Sequence, residues 1–276
     1  MTLTAGLKAP LSEIETREIL ENFHRDGFAL VRGVFGADEV AFLRRRTDEL
    51  VDDPTVYRDP LAAPPAGPNE RPTVGCVLRN PQERDLAFAE LFIREPILSL
   101  VRAILGPEAR FCGQNVIRNP TGQAISHWHV DDKLEHPLPP EVPRWDARVR
   151  LLILWLSVQV PLSDITDSAN GPTEVVRGSQ YSGRTPPKAD PVFEGRAAEP
   201  IFCRAGDIYL FNHQVWHRGS PNRSPETRYL MQLQYARGDD IASRFQGAKP
   251  TPALQKILEN ADPELVKLMI GRPREV

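Results

Sequence analysis

The residues of greatest chemical interest in this chain are His129, Asp131, His217 and Arg228. His129 and Asp131 form a His-x-Asp pair. In a strand, side chains two apart point to the same side, so the imidazole and the carboxylate converge. A distant histidine such as His217 can complete a face of two histidines and one carboxylate. That donor set suits Fe(II) and leaves coordination positions open. Arg228, downstream of the second histidine, carries a planar fork of donors that can grip a carboxylate through two bonds. An open metal beside such a clamp points to oxygen chemistry with a keto-diacid co-substrate.

Two further histidines crowd these positions. His127 shares a strand face with His129, but a fourth protein ligand would block an open metal position, so His127 is expected to be structural. His213 precedes His217 by one helical turn, a spacing that imitates a zinc pair on a helix. The apolar stretch before it, Ile208-Tyr209-Leu210-Phe211, reads as a strand and argues against that arrangement.

These residues need a scaffold, and the patterning supplies one. Ser12-Glu13-Ile14-Glu15 is a capping-box pattern that opens a helix running to Asp26-Gly27. A short strand over 28–32, a helix from Asp38 and helical patterns over 82–93 and 96–105 follow, with a Pro-rich stretch, 53–72, between them. After Gly106-Pro107 the character changes. Strands are expected over 111–117, 124–130, 149–160, 174–176, 199–203, 207–211, 215–218 and 229–235, separated by turn signals such as Asn170-Gly171-Pro172. Residues 252–270 are again helical in pattern. Eight short strands after a helical section predict an all-β core of two packed antiparallel sheets, a jelly roll buttressed by helices. The expected organisation is one domain over 1–276: a mainly helical support over 1–107, the β core over 108–236 and a helical segment over 237–276.

Composition narrows the function classes. Net charge is -3 and the pI about 6.1, so nothing resembles a nucleic-acid footprint. Cys76, Cys112 and Cys203 are odd in number and far apart, which predicts free thiols and a cytoplasmic setting. No apolar stretch reaches membrane-spanning length, and residues 1–10 lack the pattern of a signal peptide.

Several motifs resemble those of one family. Residues 23–35, with His24-Arg25-Asp26-Gly27-Phe28, resemble the opening helix and strand of the phytanoyl-CoA dioxygenase family of Fe(II)/2-oxoglutarate oxygenases. Trp128-His129-Val130-Asp131 resembles its first iron motif, and residues 170–179 its hairpin and Gly-Ser turn. His217-Arg218-Gly219-Ser220-Pro221-Asn222 with Arg228 resembles the distal ligand and the co-substrate arginine. The resemblance implies a double-stranded β-helix with iron in its mouth, and Fe(II), 2-oxoglutarate and O2 as cofactor and co-substrates. It also implies oxidation of a small-molecule substrate at an unactivated C–H bond, with release of succinate and CO2. His129, Asp131 and His217 would hold the metal, and Arg228 the distal carboxylate of 2-oxoglutarate.

The sequence departs from the family pattern at two points. Gln180 stands where the family usually has a histidine, at a position that ligates no metal in either form. Gly219 stands where a serine often bonds the co-substrate, which leaves that secondary contact without an evident donor. Asp131 itself bears on the outcome: halogenating relatives carry a small residue there, so hydroxylation is expected. Gln114 and Arg118, which share a strand face with Val116, are candidate pocket contacts to the co-substrate, as is Gln159. Trp128 and Trp155 are expected in the core. Residues 53–80 and 132–148 are expected lids over the mouth. Two other readings remain open: a cupin-type enzyme using His127, His129 and His217 without a keto acid, and an inactive ligand-binding barrel.

Overall fold

The computed structural model describes residues 11–56, 58–61, 75–122, 125, 127–246 and 250–270. Helix α1 (Glu13–Asp26) starts on the anticipated capping box: the Ser12 side chain accepts from Glu15 N, and Glu15 reaches back to Ser12 N. Gly27 ends it in the left-handed region at φ 86, where a Cβ would also press on Val215. Strand β1 (Phe28–Val31) and α2 (Ala37–Asp52) follow. The pattern over 82–93 resolves into a short helix, α3 (Leu86–Glu90), flanked by 3-10 turns, and α4 (Ile97–Leu105) ends at Gly106.

Two strands lie in the region expected to be helical support. β2 (Arg58–Pro60) and β3 (Cys76–Arg79) form a hairpin pair at one edge of the main sheet. Pro-rich flanks hid them, since such composition reads as loop. The Pro-rich stretch itself lies largely outside the described residues.

The core is built by β4 (Ala109–Asn119), β5 (Trp155–Pro161), β6 (Thr173–Val175), β7 (Val192–Phe193), β8 (Arg196–Ala197), β9 (Glu199–Pro200), β10 (Ile208–Phe211), β11 (His217–Gly219) and β12 (Arg228–Arg237). A seven-stranded sheet runs β1-β10-β5-β12-β4-β3-β2, every pairing antiparallel. A three-stranded sheet runs β11-β6-β9, and β7 and β8 make a separate ribbon. Two antiparallel sheets with helices on one side are the jelly-roll core that the strand pattern predicts.

Two expected strands are shorter than their apolar runs. Within 149–160 only the part from Trp155 pairs; Val149 is 53% and Leu152 51% exposed, so those apolar residues have no layer to bury them. Within 124–130 the described residues make a single bridge, His129 to His217. The C-terminal pattern is two helices, α6 (Pro252–Ile257) and α7 (Pro263–Ile270), the second started by Pro263. Helix α5 (Asp239–Gln246), directly after β12, lies within the segment 237–276 expected to be helical, ahead of its 252–270 pattern.

Strand alternation sorts the side chains into two layers. On β12, Tyr229, Met231, Leu233 and Tyr235 face the helices and join a large cluster with Phe23, Leu43, Phe88 and Phe92. Leu230, on the opposite face, packs between the sheets with Phe28, Val175, Tyr209, Phe211 and Val215. Arg228, Gln232 and Gln234 share that inner face.

Candidate functional site

The inner face opens on a cavity of about 340 Å³. His129, Asp131, His217, Arg228 and Gln159 all line it. The bridge between His129 and His217, with both N–H···O bonds at 3.0 Å, sets the two imidazoles side by side, their ring centroids 4.1 Å apart. Asp131 N donates to His213 O at 2.9 Å, which turns the carboxylate toward the pair. Asp131 Oδ1 lies 3.5 Å from His129 Nε2 and 3.5 Å from His217 Nε2. One donor atom from each of the three falls within 4.8 Å of the others. A metal bound at about 2.1 Å by a facial set needs its donors about 3 Å apart, so small side-chain movements close this face.

Tautomer control fits the same use. His129 Nδ1 lies 2.9 Å from His127 O and His217 Nδ1 2.9 Å from Val215 O, so each ring donates from Nδ1 and keeps the Nε2 lone pair for a metal. Burial alone would raise the Asp131 carboxyl. The charge of His217 and the hydrogen bonds of His129 and His217 outweigh it and hold Asp131 well below the usual carboxylate range. Among the described residues no Lys or Arg pairs with Asp131. The three-residue set does not include His127, whose ring stacks against that of His129 at 4.7 Å. His213 is fully buried on the Trp155 ring, 3.4 Å between centroids, with Glu135 at 3.5 Å. Trp155, expected in the core, also lines the cavity.

Arg228 is the unusual cation of the molecule. It is 5% exposed, its Nε is buried without a partner, and among the described residues its side chain makes one hydrogen bond, a long one to Thr173 Oγ1 at 3.4 Å. Among the described residues no carboxylate comes within ion-pair distance. Burial pushes its pKa down, against the opposing influence of Tyr209 and Cys203. A buried guanidinium with no counter-ion is costly and is ready to take an anion. Thr173 pairs with Gly219 across β6 and β11, and its hydroxyl also lies 3.1 Å from Tyr209 OH. Ser220 Oγ is buried without a partner, and Ser220 does not line the cavity.

Two expected pocket contacts sit elsewhere. Gln114 Nε2 donates to Phe88 O at 3.1 Å, under the helical layer, and Arg118 pairs with Asp48 at 3.0 Å beside the Tyr229 ring. They do share a face with Val116, but that face looks to the helices. The cavity face of β4 carries Asn115, Ile117 and Asn119. The register explains why: Arg228 stands opposite Asn119, Leu230 opposite Ile117 and Gln232 opposite Asn115. Directly paired residues share a face. Once Arg228 is placed inward, alternation alone identifies Leu230, Gln232 and Gln234, but their partners need the register. Gln159 does face the cavity, with its Oε1 buried and unpartnered.

The expected lids also change. Of residues 132–148 only Asp132 lines the cavity. The rest is strapped down by Arg184, which donates to the carbonyls of Pro139, Pro140, Val142 and Pro143. Among the described residues of 53–80, Val77 and Arg79, on β3, line the cavity, and the rest of that expected lid lies largely outside the described residues. Helix α5 contributes Phe245, which packs on Trp155 at 4.7 Å.

A jelly roll with two histidines and a carboxylate converging in its mouth, beside a buried unpaired arginine, defines the class of Fe(II)/2-oxoglutarate-dependent oxygenases. The sequence profile of "Phytanoyl-CoA dioxygenase (PhyH)" matches residues 23–230, and the chain belongs to that family. An ectoine dioxygenase of Stutzerimonas stutzeri is 25% identical, the match covering 89% of this chain and 85% of the relative. An ectoine dioxygenase of Sphingopyxis alaskensis is also 25% identical, over 83% of this chain and 79% of the relative. Among solved structures, the 2-oxoglutarate-dependent epimerase SnoN of nogalamycin biosynthesis matches with TM-score 0.62 at 18% identity, covering 87% of this chain and 93% of that one. HygX from Streptomyces hygroscopicus, solved with nickel and 2-oxoglutarate bound, matches with TM-score 0.58 at 19% identity, covering 80% and 86%.

Proposed function

We propose that this oxygenase hydroxylates a small molecule at an unactivated C–H bond, with His129, Asp131 and His217 as the iron ligands and Arg228 as the clamp for 2-oxoglutarate. The observation that carries this reading is the pairing of two features in one cavity: three convergent donors and a buried guanidinium, the donors without a Lys or Arg countercharge and the guanidinium without a carboxylate among the described residues. Bound iron supplies the oxidising chemistry with O2, and 2-oxoglutarate leaves as succinate and CO2. The chain's own contribution is placement. His127 O and Val215 O fix the two imidazole tautomers. Arg228 orients the co-substrate by its far carboxylate, and the apolar pair Ile117 and Leu230 flanks the methylene chain between clamp and metal.

Thr173 fills the gap left by Gly219. The two residues are partners across β6 and β11, and the Thr173 hydroxyl already touches Arg228. A second donor to the distal carboxylate therefore comes from the neighbouring strand. Gln159, with a free buried Oε1, is the remaining polar contact toward the metal end.

Asp131 favours hydroxylation over halogenation, because a carboxylate in the third ligand position leaves no place for a halide. Asp131→Ala should lose metal while keeping its fold; full iron occupancy in that variant, by metal analysis, would overturn the ligand assignment. Product mass spectra from chloride buffer should show a gained oxygen and no chlorine.

Residues 1–276 read as a single oxygenase domain. β1 to β3 complete the main sheet, and Arg110 donates to Lys267 O at 2.8 Å across to α7. No helix among the described residues is long and apolar enough to cross a membrane. Three buried free cysteines support a reducing, cytoplasmic setting.

A further inference from the structure

The inner face of the main sheet is banded along β12. Arg228 stands opposite Asn119, and Leu230 opposite Ile117 and Pro161. Gln232 stands opposite Asn115 and Gln159, and Gln234 opposite Gly113 and Ser157. Two residues per band make successive bands about 7 Å apart. The first band is cationic and the second apolar, which matches an anionic end and a methylene chain. The third holds three carboxamides and the fourth one, Gln234, beside Ser157, and they continue toward Trp155 and Phe245.

The carboxamide bands have unused hydrogen-bonding capacity. Gln159 Oε1 is buried with no partner. The Gln234 side chain makes no hydrogen bond among the described residues, and the Gln232 side chain only accepts a long one from Asn115 at 3.4 Å. Gly113 leaves room for the Gln234 amide to lie flat on β4, since a Cβ there would collide with its Oε1. Arg79 reaches in from β3, held by Asp59 at 2.7 Å and Asn115 at 3.2 Å. Beyond these along β5, on the side of Ser157 and Gln159, Trp155 and the α5 residue Phe245 add an aromatic surface, with Trp155 fixed by its stack on His213.

Resting on the oxygenase reading above, we infer that the substrate is a polyhydroxylated ring, a sugar or cyclitol, and not an acyl chain. A hydroxyl both donates and accepts, as a carboxamide does, so several free amides on one wall match several hydroxyls on one ring. The C–H face of such a ring packs on an aromatic surface. An acyl chain would cover the same amides and leave them dry and unpaired, which is costly.

The test uses the protein loaded with zinc, which is redox-inert, and with 2-oxoglutarate. Saturation-transfer NMR reads binding of myo-inositol, methyl glucoside and glucosamine against octanoyl-N-acetylcysteamine. Calorimetry reads 2-oxoglutarate on the same samples. The polyols should give saturable signals and the thioester none. Gln234→Leu should weaken polyol binding roughly five- to tenfold, the effect of losing one or two neutral hydrogen bonds. Its 2-oxoglutarate affinity and melting temperature should not change. Binding of the thioester but of no polyol overturns the inference, as does silence from every polyol or an unchanged polyol affinity in Gln234→Leu. Failure of 2-oxoglutarate itself to bind would instead sink the oxygenase reading of the site.

Discussion

Replacing Arg228 by methionine should separate two effects that a generic structural arginine would couple. The guanidinium is 5% exposed and has no carboxylate partner among the described residues, so its removal takes away a desolvated, uncompensated charge. Thr173 and Tyr209 keep their mutual contact at 3.1 Å, so no new orphan is created. Apo stability should therefore hold or rise by about 1 kcal/mol. Binding behaves oppositely. Losing a charge-assisted, two-bond grip on a carboxylate costs about 3 kcal/mol, or roughly 150-fold in Kd. At a 2-oxoglutarate concentration of ~100 Kd, the zinc-loaded wild type gains about 2.7 kcal/mol of stability. For a chain of this size that is a rise of about 5 °C in melting temperature. The same concentration should move Arg228→Met by under about 1 °C. Arg228→Lys should recover only part of the shift, because an ammonium lacks the fork. Thermal melts with and without 2-oxoglutarate, backed by calorimetry, give both quantities. A full 2-oxoglutarate shift in Arg228→Met would refute the clamp. A large drop in apo stability would show that the arginine is structural instead.

Other outcomes follow from the same geometry. Arg184→Ala removes a donor to four carbonyls of residues 139–143, so limited proteolysis should cut within 136–148 and the melting temperature should fall by a few degrees, roughly 1–2 kcal/mol. Because none of residues 136–148 lines the cavity, 2-oxoglutarate affinity should stay put; a parallel loss would make the strap part of the site. Asp26, paired with its neighbour Arg25 at 2.7 Å, joins α1 to the Gly178 turn through Arg177 at 2.9 Å. Burial would raise its pKa, but the Arg25 hydrogen bond and the two charges hold it below the ordinary 3.8. A depressed carboxyl stabilises the fold above its unfolded value and loses that contribution as pH falls through the folded one. Asp26→Asn should thus melt lower than wild type at pH 7, and the gap should narrow below about pH 4; a gap independent of pH would assign the loss to packing.

The one-dimensional order of residues carried the proposed metal face and the proposed clamp, because residue type decides which groups can bind iron or a carboxylate. His129-x-Asp131, His217 and Arg228 are legible without coordinates, and so is the helix from Ser12 to Gly27, whose cap and stop are local contacts. The jelly-roll class also follows from alternation, but the strand number does not: β2, β3 and the β7–β8 ribbon are additional, and 124–130 makes a single bridge among the described residues. What alternation cannot supply is the choice of face. Gln114 and Asn115 both lie on a strand with period two, and only pairing with β12 shows that Asn115 meets the cavity while Gln114 meets Phe88 O. The same holds for Arg118, drawn to Asp48 on a helix 70 positions away in sequence. Short strands such as β2 and β3 depend on a neighbour to complete their hydrogen bonds, so Pro-rich flanks conceal them. The wall of Trp155 and Phe245 joins a strand to a helix that follows a different strand. Register and layer packing are long-range properties, fixed by which surfaces bury each other, and they decide what the pocket beyond the metal can hold.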